Sequence, residues 1–190
     1  MLFCDRLSEQ EVVEAKEAGR ENLLDLLLSD FRQTFPDLKF ELQLDFKIIN
    51  ALALTLQNER IVTIYGGLAL HPKLNADSLT FTLLHETGHH LAKGCRLVRD
   101  PSLACECASD YWAVTIGIDM LQQRSARRFD VEVALEELSS IMSSRQNLNR
   151  KYAGKKSASS CWANAWSLRC SALLKRTRPP TTIGCCVRYA

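Results

Sequence analysis

An α+β fold follows from how apolar residues are spaced along the chain. Helical spacing runs from Val12 to about Phe31, alternation from Phe40 to Phe46, and helical spacing again from about Asp77 onward. A chain of 190 residues can hide about 70% of its extended surface, enough for a real core without staples. A hydrophobic fraction of 46% with 24% charged residues excludes wholesale disorder, collagen and coiled coil.

The first helix opens at Ser8-Glu9-Gln10-Glu11, which fits a capping box. Val12, Val13, Ala15, Leu23, Leu24, Leu27 and Leu28 continue it as one apolar stripe to about Phe31, and Pro36-Asp37 stops it. Phe40, Leu42, Leu44 and Phe46 alternate with Glu41, Gln43 and Asp45, which predicts a half-exposed strand. Residues 48–56 are apolar without a clear period. Arg60–Tyr65 reads as a second strand ending at Gly66-Gly67, where the chain turns or lies close to a ligand. Asp77-Ser78 caps a helix that runs to about Lys93 and closes at Gly94. Further helices are expected over about Ser102–Leu121 and Val131–Met142, and after Ser144 the periodicity dissolves.

Charge divides the chain in the same place. Residues 145–190 hold ten Lys/Arg and no acid, whereas residues 1–144 hold fourteen Lys/Arg against twenty-two acids, a net of −8. The expectation is a folded domain over 1–144 followed by a basic, Cys/Ser/Arg-rich tail over 145–190. Tail bases interleave with Tyr152, Trp162 and Trp166, a mixture that could bind nucleic acid or another anionic partner. The opening residues build no apolar stretch of signal type and no run approaches the ~18 residues of a membrane span, so a cytoplasmic protein without membrane association is expected. The eight cysteines contain no CxxC pair and are expected as reduced thiols rather than a disulfide framework.

Chemistry concentrates in one segment. His85-Glu86-Thr87-Gly88-His89 places two imidazoles at i and i+4 on one helix face, where both reach a single cation. Glu86, about 100° round from His85, can reach a water beside that cation without being a ligand. Three of the four histidines lie between positions 85 and 90, and the residues before them, Leu79, Phe81, Leu83 and Leu84, speak for a buried helix. A catalytic zinc needs a third ligand. After sixteen intervening residues beyond His89 come Glu106 and Asp110, again at i and i+4. Glu106 can complete a His-His-Glu set, and Asp110 can accept the free N–H of a ligating imidazole. Cys95 is the alternative soft ligand, while His90 reads as structural and His71, before Pro72, as a loop residue. Tyr65, Tyr111 and Tyr152 are possible donors to a tetrahedral intermediate.

His85-Glu86-x-x-His89 followed by Glu106-x-x-x-Asp110 resembles the gluzincin class of zinc metallopeptidases. The run from Glu106 to Ala113 is similar to the second helix of minimal bacterial members such as ImmA/IrrE-type regulatory proteases, and CAAX-prenyl-type proteases have comparable helices. The resemblance covers about residues 60–115. It implies a zincin-like domain with one Zn²⁺ per chain on His85, His89 and Glu106. Glu86 is then the general base that assists attack of zinc-bound water on a peptide bond, and Asp110 orients His85. It also implies that Ile61–Tyr65 is an edge strand, with Thr63, Ile64, Tyr65 and Gly66 pairing an extended peptide or protein substrate. Ser109 stands where many relatives have Ala, and Cys105 and Cys107 flank the third ligand. Two rival readings remain: a non-catalytic, zinc-binding regulatory protein, and a nucleic-acid or anionic-partner binder acting through the tail.

Overall fold

The computed structural model describes residues 6–98, 100–125 and 127–152, the last stretch from 142 onward by its backbone alone. It is an α+β arrangement of a small three-stranded sheet and surrounding helices. Helix α1 (Glu9–Glu17) begins with the predicted capping box between Ser8 and Glu11. The expected single N-terminal helix is in fact two. Gly19 takes a left-handed conformation (φ 74°) and starts α2 (Arg20–Thr34) on a new axis. Leu24, Leu27, Leu28 and Phe31 of α2 are fully buried, so this helix supplies one wall of the core.

Strand β1 (Lys39–Gln43) pairs parallel with β3 (Glu59–Tyr65), and β2 (Ala51–Leu56) pairs antiparallel with the other side of β3. The ambiguous segment 48–56 is therefore a strand. It returns into β3 through Gln57-Asn58, both at positive φ, as a two-residue hairpin requires. The sheet order β1-β3-β2 corrects one expectation: β3 is the central strand, not an edge. Thr63, Ile64 and Tyr65 pair with Glu41, Leu42 and Gln43 on one side. Thr63 and Ile64 pair with Leu52 and Ala51 on the other, and the Tyr65 N–H donates to the Asn50 carbonyl. No backbone edge is left there for a substrate. Gly66 lies past the strand in the short helix α3 (Gly66–Ala69). Packing requires the Gly66-Gly67 pair: a Cβ would stand 2.2 Å from the Leu44 carbonyl oxygen at Gly66, and 2.1 Å from that of Lys47 at Gly67.

Helix α4 (Ala76–Leu91) is the axle of the molecule, packed against the sheet on one side and against α2, α5 and α7 on others. Its cap is Asn75, two residues ahead of the expected position, whose side chain accepts from the N–H groups of Asp77 (2.7 Å) and Ser78 (3.1 Å). Every residue from Ser78 to His90 is buried. The next helix starts at Glu106 rather than Ser102. α5 (Glu106–Trp112) runs without a break through a π-helical turn (Ala113–Gly117) into α6 (Ile118–Gln122). Helix α7 (Val131–Tyr152) starts where expected and outruns the predicted end at Met142, so the proposed domain boundary at 144 falls inside a helix. The rest of the basic tail, including Trp162 and Trp166, lies outside the described residues. No described helix is long and apolar enough to cross a membrane.

Candidate metal centre

The site is assembled where the second half of α4 meets the first turn of α5. The two helices approach closely because neither has bulk at the crossing. A Cβ on Gly88 would lie 2.9 Å from the Ser109 carbonyl oxygen and 3.0 Å from its Cα, so glycine at 88 and a small residue at 109 allow the contact. That approach is what brings Glu106 to the imidazoles.

His85 and His89 stack edge to face with ring centroids 4.8 Å apart. The ligand atoms of His85, Glu86 and His89 lie within 4.8 Å of one another, and all three residues are buried. The Glu106 carboxylate spans the pair: one oxygen is 3.2 Å from His85 Nε2 and the other 3.8 Å from His89 Nε2. Each imidazole uses its other nitrogen in a bond that fixes the ring. His85 Nδ1 donates to Asp110 Oδ1 at 2.8 Å, and His89 Nδ1 donates to the Ala104 carbonyl at 2.7 Å. With both Nδ1 atoms carrying their protons, both Nε2 atoms turn toward the Glu106 oxygens.

Ring nitrogens and carboxylate oxygens so arranged can share a cation, whether a proton or a metal ion. Burial opposes a proton on His85, but the Asp110 hydrogen bond and charge, then those of Glu106, outweigh it and raise its pKa to about 10. Burial likewise opposes the Glu106 carboxylate, yet His85 and then His89 hold it well below the usual range. His89 is pushed down by burial first and by the neighbouring His85 second. The fit to a metal is good on chemistry: two imidazole nitrogens, each ring restrained through its other nitrogen, and one carboxylate are a zinc donor set. Glu86 Oε1 is buried with no hydrogen-bond partner among the described residues.

The structure therefore brings together His85, Glu86, His89, Glu106 and Asp110. It does not bring a free β3 edge to them. His90 is structural, its Nε2 donating to the Ile61 carbonyl of β3 at 3.0 Å, which ties α4 to the sheet. His71 lies buried between α3 and α4, its Nδ1 accepting from the Lys73 N–H. Cys95 is not a ligand: it is joined to Cys105 in a disulfide, which corrects the expectation of free thiols at these two positions. Sequence reasoning also missed the Ala104 carbonyl, because a backbone acceptor leaves no mark on residue identity. The chain matches no protein-family model, no curated protein and no solved structure.

Proposed function

We propose that the chain is a zinc-dependent metallopeptidase of gluzincin type, with His85, His89 and Glu106 holding one zinc and Glu86 serving as the general base. The observation that carries this reading is the Glu106 carboxylate spanning two imidazoles whose far nitrogens are both tied off. When bound, zinc would supply a Lewis acid that acidifies water and polarises a peptide carbonyl. Glu86 would accept the proton of the attacking water and deliver it to the leaving amine, a shuttle suited to its unpartnered buried oxygen. Asp110 would hold the His85 ring in orientation and tautomer through the reaction, and the Ala104 carbonyl would do the same for His89. An extended peptide would add to the outer side of β2, the strand at the sheet edge that packs against α4.

Burial favours a second reading, a metal-holding regulatory protein that no substrate reaches. His85, Glu86 and His89 are all but closed to solvent, while the Glu106 side chain is 21% exposed. Glu86→Gln separates the two. The peptidase reading predicts full zinc content with cleavage of an unfolded protein abolished; the regulatory reading predicts no cleavage by wild type either. With the peptidase we propose a cytoplasmic setting, one in which cellular thiols would meet the Cys95–Cys105 bridge.

A further inference from the structure

We propose that the Cys95–Cys105 disulfide is a redox-responsive tether that sets how tightly the His85/His89/Glu106 centre holds its metal. The proposal rests on the metal-centre reading above and adds a means of regulating it. Its basis is where the bridge sits. Cys95 follows the end of α4, and Cys105 immediately precedes Glu106 and occupies the N-cap of α5. The bond therefore closes the loop that joins the two ligand-bearing helices.

The closed loop is ordered like a short hairpin. The Cys105 N–H donates to the Cys95 carbonyl at 2.8 Å and the Leu97 N–H to the Leu103 carbonyl at 3.0 Å, while Arg96 and Ala104 form an antiparallel bridge. Ala104, lying between the disulfide and the third ligand, grips His89 twice. Its N–H donates to the His89 carbonyl at 2.6 Å, and its carbonyl accepts from His89 Nδ1 at 2.7 Å. One stretch of backbone thus fixes the tautomer of the second ligand and the entry point of the third. Cys105 makes no side-chain cap to α5, so its sulfur is committed to the tether alone. Disulfides of cytosolic proteins, where they occur, are mostly transient and redox-sensing.

Opening the tether needs two external thiols. The first, as thiolate, attacks Cys105 Sγ, which belongs to the more accessible partner (6% exposed against 1% for Cys95). A mixed disulfide forms at Cys105, and the Cys95 thiolate leaves and takes up a proton. The second thiol displaces Cys105 as a thiol and departs in an external disulfide; the protein has gained two electrons and two protons. The loop then recovers its conformational freedom, and the Ala104 grip and the Glu106 approach are no longer held together. Loss of such outer support weakens metal affinity about ten- to hundredfold.

The test is the zinc Kd of the full chain, measured by competition with a chromophoric chelator, before and after reduction by a water-soluble phosphine. A phosphine is used because it adds no thiol ligand for zinc. Hydrogen exchange of the Ala104 and Val62 amides is followed in parallel. We expect the reduced chain to bind zinc at least about tenfold more weakly, with Ala104 losing protection and Val62, in the central strand, keeping it. The Cys95→Ser/Cys105→Ser variant should bind as weakly as reduced wild type and should not respond to the phosphine. Equal Kd values in the two redox states, with binding still abolished by His85→Ala, would overturn the tether and leave the metal centre standing. Global unfolding on reduction, seen as loss of Val62 protection, would make the bridge a structural staple and overturn it as well. Zinc binding indifferent to His85→Ala would overturn the metal centre and the tether together.

Discussion

The two halves of helix α4 are equally buried and differently furnished. In the first half, polar groups are mostly closed off locally: Asn75 caps the helix, the Ser78 hydroxyl donates to Glu137 of α7 at 2.5 Å, and Thr82 donates to the Ser78 carbonyl at 2.9 Å. Thr80 is the exception, with no partner for its hydroxyl. In the second half, His85 and His89 reach across to α5 and its leading loop, and both Glu86 Oε1 and the Thr87 hydroxyl are left without hydrogen bonds among the described residues. Unsatisfied buried polar atoms cost about 1–3 kcal/mol each. The first half spends its polar groups on holding the helix in place. On the proposed reading, the second half keeps ligand atoms for a cation and a carboxylate for a proton.

This contrast can be broken from either end. The largest expected effect is on catalysis: Glu86→Gln should lower peptide cleavage by about 10²–10⁴-fold while zinc content stays at wild-type level, read by steady-state assay and elemental analysis. Next comes Leu79→Ala in the first half, a fully buried side chain. It should cost about 2–5 kcal/mol in denaturant unfolding and leave the zinc stoichiometry of the folded protein unchanged. Asp110→Asn works the other way. It should weaken zinc binding about ten- to hundredfold through the lost charge and disturbed tautomer of His85, with a smaller loss of stability in the metal-free state. The smallest effect belongs to Asn75→Ala, which removes the cap of α4 and should cost about 1 kcal/mol without altering the zinc Kd. An Asn75→Ala variant that lost zinc would show that the two halves are not independent.

The same division explains what could be read from the sequence. That His85/His89 and Glu106/Asp110 would meet was legible because i, i+4 spacing puts each pair on one helix face, in residue types that are costly to bury unpaired. The α+β class was legible from period alone. The central place of β3 was not, although Ile61, Val62 and Ile64 hint at it: a strand buried on both faces loses strict alternation, which β1 keeps. The break between α1 and α2 turns on the φ of a single residue, Gly19, and the apolar stripe on either side hides it. The Gly66-Gly67 pair marks the turn from β3 into α3, but the close backbone approach that also demands glycine there could not be told from ligand contact by residue type. The Cys95–Cys105 bond and the Ala104 carbonyl were beyond reach because they depend on how a loop folds back on α4 and not on which residues it contains.

The claim on which this account stands is that residues from two helices share one cation. Elemental analysis of purified wild type, His89→Ala and Glu106→Ala, each confirmed as folded, tests it most directly. The account predicts one zinc per wild-type chain and essentially none in either variant. Zinc retained at wild-type stoichiometry and affinity by Glu106→Ala would contradict it.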